Sequence, residues 1–469
     1  MTVPYWVAGT PATGPTLLDV RDPVDGRLVA TTSLATPSDV EAAITGAVGA
    51  RAETAELPAF ARAAALTHVS TRIAERGEEL ARLITAENGK PIRWARVEVA
   101  RAASTFRWAA EEARRWAGDL QRLDTDPGSA GRVALVRRVP RGPVLGITPF
   151  NFPLNLVAHK VAPAIAVGAP FVLKPAPATP LSALVLGEIL AETDLPAGSW
   201  SILPTTNEVA AELVADPRLP VVSFTGSAPV GWRIRDAVPR KHVVLELGGN
   251  AAAVICPDHT DLAQAATRIA TFAMYSAGQS CIAVQRVFVP RAHYDEFVRI
   301  LVAEVEKLSV GEDVGPLIDT AAADRVQRWV AGAVDAGAVA RTGNRRDGNT
   351  FAPTVLTDVP HTAAVYREEA FGPVVTVDPF DSLDDAFAAV NDSRFGLQTG
   401  LFTRDLDIAF RAHARLEVGA VIVGDVPSYR ADQMPYGGVK DSGTGREGVR
   451  SAMHDLTDDR VLVLTGVPL

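Results

Sequence analysis

The sequence predicts an α/β protein built on two parallel sheets. Three observations carry that expectation. From residue 143 onward, short Val- and Ile-rich runs alternate with helix-length segments. Residues 38–117 are rich in Ala, Arg, Glu and Leu and poor in proline, which reads as consecutive helices. The 469-residue length suggests two or three domains, or one large α/β body with insertions, long enough to bury cores without cross-links, and 47% hydrophobic with 22% charged is the composition of a globular protein.

In chain order, the helices of 38–117 break near "ENGKPI" (87–92), and "GDLQRLDTDPGSAGR" (118–132) is a polar interruption. "PVLGITP" (143–149), "PFVLK" (170–174), "WSILP", "PVVSFTG" (220–226) and "KHVVLELGG" (241–249) read as strands. Helices are predicted at 153–168, 180–193, about 206–215 and after Ser227. Such alternation implies right-handed crossovers and a parallel sheet covered on both faces. A second set follows Glu246, with "AAAVICP", "CIAVQRVFVP", "PVVTVDPF" and "GAVIVGDV" as strands. The terminal "DRVLVLTGV" (459–467) is an apolar strand with an edge that a partner subunit would cover, so an oligomer is expected.

Composition also excludes. A net charge of −9 disfavours nucleic acid as a partner. Two cysteines, Cys256 and Cys281, provide neither a disulfide framework nor a Cys-rich zinc site, and the histidines lack metal-ligand spacing, so no metal is expected. The N-terminus lacks a basic-then-apolar leader, and the longest apolar run (161–173) is too short to span a bilayer. A cytoplasmic protein with no membrane partner is expected.

The strict GxGxxG at Gly443, Gly445 and Gly448 is not preceded by a strand and has little chain after it, so it is discounted as a phosphate loop. "VVSFTGSAPVGWRI" (221–234) is better placed: a strand runs into Gly226-Ser227 and a helix begins. Ser227 would cap that helix, Pro229 suits its first turn, and the helix N-terminus could receive a pyrophosphate. An ordinary capped helix fits the same residues. Lys174 ends an apolar strand, where open α/β sheets bind ligands, and could bond ribose hydroxyls; a solvated lysine is the alternative.

Cys281 lies in "AGQSCIAVQR" (277–286), between small polar neighbours and an apolar run. Its thiolate would attack carbonyls. Glu246 in "LELGGN" could act as a general base toward water, or be an ion-paired strand-end residue. Asn151 in "TPFNFP" could donate its amide to an oxyanion, or simply form a turn.

Together these pieces resemble the aldehyde dehydrogenase superfamily over nearly the whole chain. The motifs keep the family order: "TPFNFPLN", "LKPA", "FTGS", "LELGGN", "GQSC", "EEAFGPV" (368–374), "NDSRFGLQTGLFT" (391–403) and "PYGGVKDSGTGREG" (435–448). The resemblance implies Cys281 as nucleophile, Glu246 as general base, and Asn151 with the Cys281 N–H as oxyanion hole. It implies cofactor contacts from Thr148, Pro149, Lys174, Pro175, Gly226, Ser227, Gly248, Glu369 and Phe371. Cys256 has no family role and is expected to be a buried structural residue. The implied fold has a Rossmann-like cofactor domain (1–117 and 134–246), an α/β catalytic domain (247–430), a return segment (431–454) and a small β oligomerisation arm (118–133 and 455–469). A homodimer or homotetramer follows.

The sequence departs from the family pattern at Pro177, where NAD-preferring members often carry a Glu that bonds the adenosine ribose. NAD is favoured and NADP stays open. The resemblance is closest to the branch containing lactaldehyde, non-phosphorylating glyceraldehyde-3-phosphate and phosphonoaldehyde dehydrogenases. Arg101 and Arg430 stand where that branch holds an anionic group, and a guanidinium suits phosphate or carboxylate. Ser280 and Ile282 flank the nucleophile as further substrate contacts, but Ser280 replaces the Arg of phosphate-handling members. A small anionic aldehyde is expected as substrate. A neutral hydroxyaldehyde, a CoA-acylating reaction and a non-catalytic protein are the alternatives.

Overall fold

Val144–Ile147, Phe171–Lys174, Trp200–Ile202, Val221–Thr225 and His242–Glu246 are short apolar strands, almost wholly buried. Strands covered on both faces read as continuous apolar runs, which is why the sequence shows them so plainly. In the computed structural model of the protein, which describes residues 2–466, these strands pair in parallel. The sheet is 8-stranded. Its edges were not visible in the sequence. Tyr5–Val7 and Thr10–Ala12 extend one side, and Gly443–Thr444 lies antiparallel to His242–Glu246 on the other. Strands this short carry too few residues to show a period.

The helices expected within 38–117 from composition are present, and their apolar spacing sets their packing. Ile92–Arg115 buries Ala95, Val99, Ala102, Phe106, Ala109 and Ala113 at three- and four-residue steps, and the small side chains let it lie close along Ala59–Glu75. The break at 87–92 is a left-handed Gly89 (φ +76°) followed by Pro91, where Ile92–Arg115 begins.

A 7-stranded sheet forms the second body. Thr354–Thr357, Val374–Phe380, Arg286–Pro290, Ala252–Ile255, Gln398–Phe402 and Ala420–Val423 pair in parallel, and Val339–Thr342 adds an antiparallel edge. Three of these strands, the edge Val339–Thr342 among them, correct the sequence reading. Thr354–Thr357 and Gln398–Phe402 were hidden by their polar residues, which are nonetheless buried. The predicted strand "CIAVQRVFVP" begins only at Arg286, so Cys281 lies in irregular chain before it.

Asp119–Arg122, Arg132–Pro140 and Thr457–Thr465 form a separate 3-stranded sheet. Its middle strand runs through Pro140, beyond the boundary at 133–134 drawn from the sequence, because it pairs along its whole length with Thr457–Thr465. Residues 467–469 of the predicted arm lie outside the described residues. Among the described residues, no helix is long and apolar enough to cross a membrane.

Candidate active site

The carboxyl ends of the first sheet's parallel strands carry three of the singled-out side chains. Glu246 is the last residue of its strand, and Lys174 the last of another. Asn151 lies on the loop after Val144–Ile147 rather than at the strand's end. Cys281 follows a tight turn in which Ser276 (φ +51°) and Ala277 (φ +56°) adopt left-handed conformations that only glycine takes readily. Gly278 (φ +69°) completes the turn, and any Cβ there would collide with the Gly372 carbonyl.

Cys281 is partly exposed, and its Sγ lies 2.9 Å from the Tyr436 hydroxyl. Burial pushes the thiol up to about 12, with the Tyr436 contact opposing. Asn151 Nδ2 donates to the Gln279 carbonyl at 3.0 Å, which brings the amide against the loop of Cys281. Its Oδ1 is buried without a partner. Ser280 accepts a hydrogen bond from Tyr275 at 2.6 Å, and Ile282 packs with Leu397 and Tyr436 beside the cysteine.

Both Glu246 carboxyl oxygens are buried and unpartnered. Burial, and then the nearby Glu447 charge, raise this carboxyl well above the ordinary range. Gly437 leaves it space: a Cβ there would stand 2.9 Å from Glu246 Oε1. Behind it, Glu447 meets Lys160 Nζ at 3.4 Å and Arg430 Nη2 at 2.9 Å. Burial alone would raise Glu447, but Lys160 and Arg430 outweigh it and hold the carboxylate at about 2.

Arg430 is not a solvated loop residue. Its side chain is 5% exposed, and its guanidinium stacks 3.9 Å from the Tyr436 ring centroid. Its Nε is buried without an acceptor. Arg101 is engaged differently: Nε and Nη2 donate to Asp432 Oδ1 at 3.2 and 2.8 Å. His159 Nε2 sits 3.2 Å from the same oxygen, and burial lowers this histidine to about 4.

Sequence reasoning missed Tyr436, Glu447, Lys160, His159 and Asp432. A signal existed for two of them, since His159-Lys160 interrupts an otherwise apolar helix, Asn155–Val167. Glu447 lay inside the discounted glycine motif. In the structure these glycines are packing positions: a Cβ on Gly443 would strike the Leu245 carbonyl, and one on Gly448 the Met434 carbonyl. These glycines press the return segment against the strand that ends in Glu246.

On the other side of the strand ends, Lys174 lines a cavity of ≈ 330 Å³ with Ile147, Ala211, Val214, Phe224 and Val230. Burial, with no carboxylate contributing, lowers its ammonium to about 8. Ser227 stands at the N-cap of Ala228–Ala237, but its side chain makes no cap bond, contrary to expectation. Pro229 has no N–H to offer it, and the Val230 N–H bonds the Ser227 carbonyl instead. The hydroxyl is left exposed. Gly226 packs tightly on Phe224, where a Cβ would come within 2.5 Å of its Cζ. Thr148 donates its N–H to the Lys174 carbonyl at 3.2 Å, with Pro149 following and Pro175 buried beside it. Glu369 accepts the Gly249 N–H at 3.1 Å and occupies the space that a Cβ on Gly248 would need. Burial raises it to about 7. Phe371 (φ +45°) meets Phe150 edge-on at 5.9 Å. An apolar slot beside a strand-end ammonium, with a free hydroxyl and N–H groups at a helix start, fits the adenosine and pyrophosphate of a dinucleotide.

A model of the aldehyde dehydrogenase family matches residues 6–462. The chain belongs to this family. The 3-sulfolactaldehyde dehydrogenase of Priestia megaterium is 42% identical over 439 residues, covering 92% of this chain and 91% of that protein. The structure of aldehyde dehydrogenase 21 from Physcomitrella patens, in complex with the reaction product succinate, superposes with a TM-score of 0.97 at 44% identity, covering 99% of this chain and 98% of that one. The NADP-dependent glyceraldehyde-3-phosphate dehydrogenase of Bacillus halodurans, complexed with NADP, does so with a TM-score of 0.96 at 34% identity over 100% of both chains. As an aldehyde dehydrogenase, the protein is an oxidoreductase acting on the aldehyde group. Cys256, the second cysteine, is fully buried in an apolar cluster away from these residues.

Proposed function

We propose that this aldehyde dehydrogenase oxidises a small anionic aldehyde to its carboxylic acid with NAD(P), through a thioester on Cys281. The observation that carries the reading is a partly exposed thiol at Cys281 whose loop is met by the Asn151 amide and which lies within electrostatic reach of the buried, unpartnered Glu246 carboxyl. Cys281 attacks the aldehyde carbon as its thiolate, the thiol proton leaving to water at the partly exposed sulfur. The Asn151 amide and the Cys281 N–H take the resulting oxyanion. The dinucleotide, when bound, supplies the two-electron acceptor. Lys174, Ser227 and Gly226 would hold its adenosine and phosphate end, with Thr148, Pro149 and Pro175 beside them, and Glu369, Gly248 and Phe371 its nicotinamide end. Glu246 then removes a proton from the water that attacks the thioester, and the acid leaves.

Arg430 supports an anionic substrate, since its guanidinium is buried above Tyr436, the residue that touches Cys281, with Nε still unpartnered. Arg101 engages Asp432 through two of its nitrogens, Nε and Nη2, so less of its guanidinium is free for a substrate anion. The relatives named above act, by name, on a sulfonated aldehyde, release succinate or oxidise a phosphorylated one. A neutral hydroxyaldehyde remains the second reading, because Ser280 places a hydroxyl beside the nucleophile and is itself held by Tyr275.

The test is kcat/KM for sulfolactaldehyde, succinate semialdehyde, glyceraldehyde-3-phosphate and phosphonoacetaldehyde against lactaldehyde and glyceraldehyde. Arg430→Gln is expected to lower the anionic-to-neutral ratio by roughly 10- to 100-fold, the worth of a charge-assisted hydrogen bond. Equal losses for both substrate types would make Arg430 a support for Glu447 instead.

Cofactor choice follows from the same cavity. Pro177 leaves the ribose without a carboxylate, and Arg233, which the sequence reading did not place there, lines the cavity with Lys174. Both cofactors are therefore expected to turn over. Arg233→Ala is expected to raise KM for NADP by about tenfold and leave NAD unchanged; parallel changes would remove Arg233 from the 2′-phosphate.

The first sheet with its surrounding helices would form the cofactor half and the second sheet the catalytic half. The 3-stranded arm would join subunits, since Thr457–Thr465 is an edge strand exposing Val461, Leu462 and Val463. A homodimer or homotetramer in the cytoplasm is the corresponding assembly.

A further inference from the structure

The stretch Asn88-Gly89-Lys90, read from the sequence only as a helix break, holds the loop that carries Asn151. Lys90 Nζ donates to the Asn151 carbonyl at 2.7 Å and pairs with Glu98 Oε2. Both side chains are completely buried. The other Glu98 oxygen accepts the N–H groups of Leu154 at 2.9 Å and Asn155 at 3.2 Å. These open the helix Asn155–Val167, where a carboxylate suits unpaired donors and the helix dipole. Asn88 Nδ2 donates to the Phe150 carbonyl at 2.8 Å, and Lys90 also lies 4.1 Å from the Phe152 ring centroid. The backbone on both sides of Asn151 is thus fixed by residues 88–98.

The chain of contacts continues to the nucleophile and returns. The Asn151 amide bonds the Gln279 carbonyl. The Gln279 side chain donates to the Pro316 and Ser276 carbonyls, both at 3.2 Å, and accepts the Ile318 N–H at 2.9 Å. Pro316 packs on Gly89, where a Cβ would come within 2.5 Å of its Cγ. The circuit closes on the residue before Lys90 and ties the first half of the chain to the loop of Cys281.

We propose that Lys90 and Glu98 are positioning residues that set the Asn151 amide against the Cys281 loop through this buried circuit. The proposal rests on the reading of Asn151 as the oxyanion donor. A buried ion pair is a poor device for stability alone, because desolvating two charges offsets much of their attraction. Burial does press on the Lys90 ammonium, with Glu98 opposing it. What the pair supplies is geometry. It presents one donor to a carbonyl and one acceptor to two N–H groups on the same short loop, and a misplaced amide loses its effect over fractions of an ångström.

Lys90→Met alone leaves Glu98 charged and buried, and such a chain can fail to fold. The informative variant is the pair Lys90→Met and Glu98→Gln, which removes both charges and keeps the acceptor facing Leu154 and Asn155. The measurement is the rate constant of the first turnover of reduced nicotinamide, with dinucleotide Kd by fluorescence titration and the thermal midpoint recorded beside it. The paired variant is expected to lower that rate constant about tenfold or more with Kd unchanged. In an Asn151→Ala background the same pair should cost less than about twofold, because its effect passes through the amide already removed. Equal losses in both backgrounds, or no loss in the native background, would overturn the proposal. A native first-turnover rate in Asn151→Ala itself would overturn the oxyanion reading, and the positioning role with it.

Discussion

Cys281→Ala is expected to abolish aldehyde oxidation, by about 10⁴-fold or more, while dinucleotide binding survives. No other group can take over. The only other thiol, Cys256, is fully buried, and burial pushes it up to about 12. Sγ of Cys281 contacts Tyr436 and lines no part of the Lys174 cavity, so its loss should leave the dinucleotide's Kd near the native value. First-turnover absorbance and fluorescence titration separate the two effects. Turnover within tenfold of native would remove Cys281 from the chemistry. The unliganded thiol, also pushed up to about 12, carries a second expectation. Its alkylation by iodoacetamide should be slow at pH 7 and rise about tenfold per pH unit toward pH 10, because the thiolate is the reactive form. A flat profile would mean that the resting enzyme already holds a thiolate.

The features legible in the sequence share one cause. Strand ends in a parallel sheet are marked by an apolar run that stops, and Lys174 and Glu246 stand at such stops. Asn151 and Cys281 are bounded by proline, glycine and small polar residues that announce a turn. The groups around Glu246 have no local mark. Lys160 and Glu447 are 287 positions apart, and Arg101 and Asp432 are 331 apart. No periodicity or spacing rule joins residues that only folding brings together. Lys90 and Glu98 were hidden differently: a lysine in a helix break and a glutamate in a charged-looking helix both suggest solvated positions, yet both are buried. Ser227 failed as a cap because the missing N–H of Pro229 outweighed the propensity of serine. Local chemistry thus marked the candidate side chains, and tertiary packing supplied the groups that surround them.

Glu246→Gln is expected to leave a burst of about one reduced nicotinamide per subunit and to lower the steady-state rate by about 10²- to 10⁴-fold, the usual worth of a general base. The thiol can still attack and the dinucleotide can still be reduced, so only water activation is lost. Product analysis belongs with this measurement, since free acid from the native enzyme fits Glu246-assisted hydrolysis and acyl-CoA would move the second half to another acceptor. The pH dependence has a fixed sign. Burial and then Glu447 raise the Glu246 carboxyl, so its basic form grows only as pH passes the raised value, and thioester hydrolysis should increase with pH through that range. The Gln variant should lose this limb. Stability moves the other way. A carboxyl whose folded pKa is raised contributes stability below its unfolded value of 4.5, and that contribution is lost as pH rises through the folded value. At a pH above that folded value the native chain therefore carries the cost of a buried charge that glutamine does not, and the variant's thermal midpoint there should equal or exceed the native one. A general base is the reading in which hydrolysis falls while stability holds. A full steady-state rate would sink that assignment, and a fall in both rate and midpoint would make Glu246 a structural carboxyl, because the same packing that makes it a poor ion at rest is what makes it a strong base once ionised.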